Sequence, residues 1–125
     1  MKKLILILTF LFPITSFAEW TLVNKNTNGD SFYIDFDRIK KQDGFVYYWI
    51  LIDNFKPNRH GDLSSKIYVK NECKSSRWKI LRDVYYTGQM NKGTVRHSSN
   101  TPDEEWTYSP PLSASETQTK KICSH

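Results

Sequence analysis

Histidine, cysteine and long apolar runs are scarce in this 125-residue chain, and each scarcity removes a class of function. The three histidines, His60, His97 and His125, stand far from one another and from the cysteines, so the short ligand spacings that build zinc or copper sites are missing. Asp30, Asp35 and Asp37 lie close together without the dense Asp/Asn/Gly loop that holds calcium, which leaves them capping and turn roles. No nucleophile elbow, HExxH helix or phosphate loop is present, so no catalytic residue, metal or cofactor is expected. Beyond residue 18 nothing approaches the roughly 20 consecutive apolar residues of a membrane-spanning helix. The net charge, +5 for the whole chain and +3 beyond residue 18, falls short of a nucleic-acid-binding signature. There is no repeat, linker or low-complexity segment.

What is present begins with an export signal. Lys2 and Lys3 precede an apolar stretch from Leu4 to Phe12, then Pro13 and the small-residue site Ser16-Phe17-Ala18, which predicts a signal peptide over residues 1–18 with cleavage after Ala18. No cysteine adjoins that site, so a lipid anchor is not expected, and the mature protein is placed in the periplasm or outside the cell. Residues 19–125 make one domain. Losing Lys2 and Lys3 reduces the positive excess to +3, a mild bias towards acidic partners. In an oxidising compartment Cys73 and Cys123, the only cysteines, are expected to pair. The long loop so closed is worth roughly 4 kcal/mol in a chain-entropy account.

Short runs of β-branched and aromatic residues separated by turn residues predict an α+β domain: an antiparallel sheet of five to six strands with a short C-terminal helix packed on it. The expected strands include Trp20 to Lys25, Ser31 to Phe36 after Asn28-Gly29, and Phe45 to Phe55 after Asp43-Gly44, with Asp37 capping one helical turn between the last two. Phe45 to Phe55 is apolar on both faces, as in a central strand covered on both sides. Two further strands between Leu63 and Gly88 are expected to meet around Ser75-Ser76, pairing Cys73 with Trp78, Val69 with Arg82 and Ile67 with Val84. Gly88 to Gly93 reads as a turn, Ser98 to Glu105 as a polar loop, and Trp106 to Tyr108 as a final short strand or extended piece. Behind Pro110-Pro111, Ser113 and Glu116 stand at capping-box spacing before a helix from Ala114 to about Lys121.

Alternation along the expected hairpin gathers Lys66, Tyr68, Lys70, Lys74, Arg77, Lys79 and Tyr85 on one face, against Glu72 and Asp83. This is the candidate binding surface, suited to an acidic protein or a sulfated glycan; the same alternation also describes the wet side of an ordinary two-strand ribbon. Arg82 breaks the pattern, as a strand end, a bulge or a buried ion pair would. Trp20, Trp49, Trp78 and Trp106 are assigned to the core, with Trp106 the first choice if one is exposed.

The order of landmarks resembles the surface-adhesin protein E family of small exported bacterial proteins. The matching pieces are Trp20, Tyr33-Ile34-Asp35 followed by Ile39, Trp49 and Asp53, Ser65-Lys66 leading to Glu72-Cys73, Tyr85 to Gly88, Gly93-Thr94-Val95, Trp106, Pro110 and Ile122-Cys123. The resemblance implies an antiparallel sheet whose C-terminal helix is fixed by a Cys73–Cys123 bridge. It also implies a non-enzymatic adhesin that binds host extracellular-matrix proteins and forms a homodimer. The family's best-known member is lipid-anchored, a feature this sequence lacks. The alternative is a periplasmic accessory or envelope protein with no adhesion role.

Overall fold

The structure is a computed structural model and describes residues 19–125; the expected signal peptide lies outside the described residues. Its strands are β1 (Thr21–Lys25), β2 (Ser31–Ile34), β3 (Lys40–Gln42), β4 (Phe45–Asp53), β5 (Ser64–Glu72), β6 (Arg77–Tyr86), β7 (Val95–Ser99) and β8 (Thr107–Tyr108), followed by helix α1 (Ala114–Cys123). They form one antiparallel sheet in the order β1-β2-β4-β5-β6-β7, with β3 added beside β4 and β8 beside β6. The expected α+β architecture is therefore present, with a six-strand path and two short additions.

Local chemistry accounts for the connections. Asp43 and Gly44 both take positive φ, 54° and 82°, the conformation of a tight primed hairpin turn, and they join β3 to β4. Asp35, not Asp37 as expected, caps the 3₁₀ turn Phe36–Arg38: its carboxylate accepts the backbone N–H of Asp37. The cap falls at Asp35 because Asp35 is the residue still in extended conformation, and only such a residue can turn its side chain back onto the following N–H groups. At the start of α1, Ser113 Oγ accepts the N–H of Glu116 at 3.2 Å, as the spacing predicts. Glu116 reaches back one residue further than a simple capping box, accepting the N–H of Leu112.

The core lies between α1 and one face of the sheet. Ile34, Val46, Tyr48, Ile50, Ile67 and Val69 are buried there with Ile122 of the helix. Cys73 and Cys123 are bridged, with Cα atoms 5.8 Å apart, and this fixes the end of α1 to the turn between β5 and β6. Beside the bridge, Asn71 is fully buried: it accepts Thr119 Oγ1 at 3.2 Å, and its amide nitrogen lies 3.6 Å from Cys123 Sγ. The other end of the helix is held by Asn24, which bonds to the Ala114 carbonyl and to Gln118. Between these two anchors the helix leaves an apolar space of about 230 Å³ above the sheet.

The β5–β6 register differs from the expected one. The turn is Cys73 to Ser76, so Glu72 pairs with Arg77 and Asn71, rather than Cys73, faces Trp78. The turn is centred on Lys74-Ser75, one residue earlier than expected, and Ser76 closes it at φ 51°. Further along, Val69 pairs with Ile80 but Tyr68 pairs with Arg82, so Leu81 is an extra residue in a β-bulge. Since side chains alternate with a period of two, the bulge exchanges the faces of everything after it on β6. Arg82 comes to the face of Tyr68, while Asp83 and Tyr85 go to the face of Ile67 and Ser65.

One buried ion pair ties the sheet edge to the loop before β5. Asp62, with no exposed surface, receives both Arg96 Nε and Arg96 Nη2, and Asn58 Nδ2 donates to it at 3.1 Å. The Arg96 bonds hold the Asp62 carboxyl below the ordinary carboxylate range, against the opposing effect of burial. A depressed folded-state pKa stabilises the fold above the unfolded-state value, and that stability is lost as pH falls through the folded-state value. Thermal unfolding followed from pH 6 downward should therefore fall steeply below about pH 4. The Asp62→Asn variant should start from a lower Tm at pH 6 and show a flatter acid limb; parallel profiles would remove Asp62 from the acid response.

Candidate ligand-binding face

On the face of the sheet turned away from α1, β4 contributes Phe45, Tyr47 and Trp49, β5 contributes Lys66, Tyr68, Lys70 and Glu72, and β6 contributes Arg77, Lys79 and, through the bulge, Arg82. Trp106, just before β8, folds over the same face and stacks on Phe45 at 5.9 Å and 15°. Cations and rings interleave. Lys70 Nζ lies 4.1 Å from the Phe45 ring, while Arg77 and Lys79 lie 4.3 and 4.9 Å from Trp106. Lys66 and Arg82 lie 5.0 and 5.5 Å from the Trp49 ring, which itself packs on Tyr68 at 4.9 Å. Each such contact is worth about 0.5–1 kcal/mol at an exposed site, enough to bias where a long side chain rests.

The rings on β4 are therefore half-buried beneath aliphatic stems and ammonium groups, not covered by a second layer. The expectation that β4 is covered on both sides fails along Phe45, Tyr47 and Trp49, and with it the assignment of Trp49 and Trp106 to the core. The rule behind the expectation is sound for Leu51, which has no exposed surface. It misleads at the other positions because a lysine stem can shield an aromatic ring from water as an apolar side chain would.

The electrostatics are one-sided. Glu72 and, at the far end of β4, Asp53 are the strand carboxylates on this face: Asp53 accepts the backbone N–H of Met90 at 2.7 Å, and Arg77 takes Glu72 at 2.9 Å, a bond that, helped by Ser75, holds the Glu72 carboxyl below its usual range. The salt bridges among the described residues use none of Lys66, Lys70, Lys79 and Arg82. Lys79 donates to the Glu104 carbonyl and Arg82 to Asn100, contacts that orient the cations without neutralising them. Burial lowers the Lys66 pKa, and the positive neighbours Arg38 and Arg82 lower it further. Lys66, Lys70, Lys79 and Arg82 thus stand without carboxylate partners, and clustered cations of this kind favour an acidic partner.

Of the residues singled out from the sequence, Lys66, Tyr68, Lys70, Arg77 and Lys79 are brought together on this face. Lys74 is not among them on the strands: it is exposed in the Cys73–Ser76 turn at the end of the face. Tyr85 is on the opposite side, against His97 and beside Arg96, because of the bulge at Leu81. The sequence reading missed Phe45, Tyr47, Trp49, Arg82 and Trp106 as parts of the surface. The alternation Phe45, Tyr47, Trp49 was legible; the return of Trp106 from 28 residues beyond Trp78 was not.

The described residues contain no group of three or more His, Cys, Asp or Glu side chains arranged to hold a metal ion, and no helix among them is long and apolar enough to cross a membrane. The sequence profile of the surface-adhesin protein E family matches residues 20–124. No curated protein sequence matches the chain. Among solved structures, crystal form II of Haemophilus influenzae protein E superposes with a TM-score of 0.64 at 16% identity, covering 90% of this chain and 92% of that one. A second structure of Haemophilus influenzae protein E gives 0.62 at 15% identity over 90% and 89% of the two chains. Protein E from non-typeable Haemophilus influenzae gives 0.61 at 15% identity over 90% and 80%. At these identities the structural likeness establishes a shared fold.

Proposed function

The chain belongs to the surface-adhesin protein E family, and on that premise we propose that it is an exported, non-enzymatic binding module that engages an acidic macromolecule through the aromatic and basic face of β4, β5 and β6. A host extracellular-matrix protein or a sulfated glycan fits that description. The observation that carries the reading is the set of cations left without carboxylate partners, Lys66, Lys70, Lys79 and Arg82, resting on a floor of Phe45, Tyr47, Trp49 and Trp106. Aromatic rings supply rigid contact area and the cations supply charge, the combination enriched at recognition surfaces. The edge strands β1 and β7 leave room for two copies to pair, and a homodimer would present two such faces.

Adhesion requires the face to be reached from outside. Intact cells carrying the protein tagged after His125 should lose the tag to added protease, with the protein recovered in the outer-membrane or secreted fraction. Protection of the tag until the outer membrane is opened would make the protein a periplasmic accessory.

A further inference from the structure

The cations of the binding face fall into two groups, each gathered on one indole. Lys66 and Arg82 lie 5.0 and 5.5 Å from the Trp49 ring, and Arg77, Lys79 and Lys70 lie 4.3, 4.9 and 5.8 Å from the Trp106 ring. Trp106 stacks on Phe45, which precedes Trp49 by four residues on β4, so the two groups stand about 13 Å apart along the strands. Between them Tyr47 and Tyr68 pack at 6.3 Å, a floor of two neutral rings. By register Lys40 of β3, exposed, stands beside Tyr47 on the same face.

Each group gains from an anion. Lys70 and Lys79 face each other directly across β5 and β6, and like charges so placed weaken a strand pair. At the Trp49 group, burial and the positive neighbours Arg38 and Arg82 disfavour the charged form of Lys66. The nearby acids are engaged in other bonds or turned to the side. Glu72 is held by Arg77, Asp53 beyond Lys66 accepts the Met90 N–H, Asp103 accepts the Ile80 N–H, and Glu104 meets Lys79 through its carbonyl. The 103–105 loop therefore borders the face on the β6 side, and the open direction runs along the strands.

We infer that the face takes a linear sulfated glycan, laid along the strands with a sulfate at each indole-centred group and its sugar rings over Tyr47 and Tyr68. The inference rests on the function proposed above and selects, among acidic partners, the one that fits. Strands β4 and β5 lie inside the sheet, so their backbone N–H and C=O groups are already paired and none is offered to a peptide main chain, which docks at sheet edges. The ammonium and guanidinium groups on the face only donate, and sulfate oxygens only accept. A pyranose ring can set its C–H surface on a phenol ring and keep its hydroxyls at the wet rim.

A fully sulfated heparin tetrasaccharide, the matching disaccharide and the peptide hexaglutamate test this by calorimetric titration of the oxidised protein at low ionic strength. A sugar unit is a little longer than an extended residue at ~3.4 Å, so the disaccharide falls short of the second group and the tetrasaccharide reaches it. The tetrasaccharide should bind roughly tenfold tighter than either other probe, the effect of engaging both groups of cations. Tyr68→Leu should weaken the tetrasaccharide about fivefold, on the order of one aromatic contact, and leave hexaglutamate within about twofold. Lys40→Gln, at an exposed position, should also weaken the tetrasaccharide about fivefold, which keeps the test decisive if Tyr68→Leu fails to fold. Equal affinity for the two glycans, or tetrasaccharide binding indifferent to both variants, would overturn the inference. Hexaglutamate bound more tightly than the tetrasaccharide, and released by Lys70→Glu, would also overturn it while keeping an acidic protein as the partner of this face. Failure of all three probes to bind would remove the proposed function together with the inference.

Discussion

Replacement of Cys73 and Cys123 by serine is expected to lower the stability of the domain by about 4 kcal/mol, the value that the chain-entropy account assigns to a bridge across such a loop. The bridge spans 50 residues of sequence. For a domain of this size the corresponding fall in Tm is roughly 15–25 °C. The loss should not be spread evenly. Helix α1 has ten residues, a length marginal in water without tertiary support, and its large apolar contact is Ile122, one position before Cys123. Without the bridge the helix retains only the Asn24 contacts at its start and the burial of Ile122 at its end. Amide exchange should therefore speed up first across α1, with β4 and β5 protected longer. A double-serine variant with wild-type Tm and uniform exchange would show that burial of Ile122 alone holds the helix.

The second large effect concerns recognition. Changing Lys66, Lys70 and Lys79 to glutamate replaces three cations on one face by carboxylates beside Glu72, and affinity for heparin or an acidic matrix protein should fall at least a hundredfold at low ionic strength. A cation near an anionic surface is worth about 1 kcal/mol, and each reversal both removes that and adds repulsion. The effect should shrink as salt rises, because the side chains are accessible to counterions. Lys70→Gln and Lys79→Gln, which keep polar chains over the rings without opposite charge, should fall between the two. Circular dichroism must show the glutamate variant folded; if it is folded and binds as before, recognition lies elsewhere on the molecule.

Much of the architecture was legible because it rests on local rules. Asn28-Gly29 and Asp43-Gly44 mark turns, alternation marks β4 and β5, and Ser113 with Glu116 marks the start of α1. The strands that escaped notice, β3 and β7, are built from polar residues and are almost wholly exposed, so they carry no buried face for a hydropathy pattern to reveal. The candidate face was legible in β5, where alternation is unbroken from Lys66 to Glu72. It was not legible in β6, because a single unpaired Leu81 has no signature in composition. Arg82, the residue that fitted no pattern, was the visible trace of that bulge. Trp106 was beyond reach for another reason: it joins the face by a tertiary return, and spacing along the chain does not encode where a loop comes back.

The covalent link also decides how the molecule answers a pull, which matters for any protein that holds two surfaces together. Drawn out by its ends, an oxidised chain cannot lengthen between residues 73 and 123. The extensible part is the segment from the start of the domain to the bridge, at about 3.4 Å per residue when straight. Load entering at His125 passes within two residues to Cys123 and crosses directly to the β5–β6 turn. Helix α1 and strands β6 to β8 hang from that crossing as a slack loop, outside the line of force. Arg77, Lys79, Arg82 and Trp106 thus belong to a part of the face that tension does not unravel directly, whereas Lys66, Lys70 and the β4 rings lie in the part that bears it.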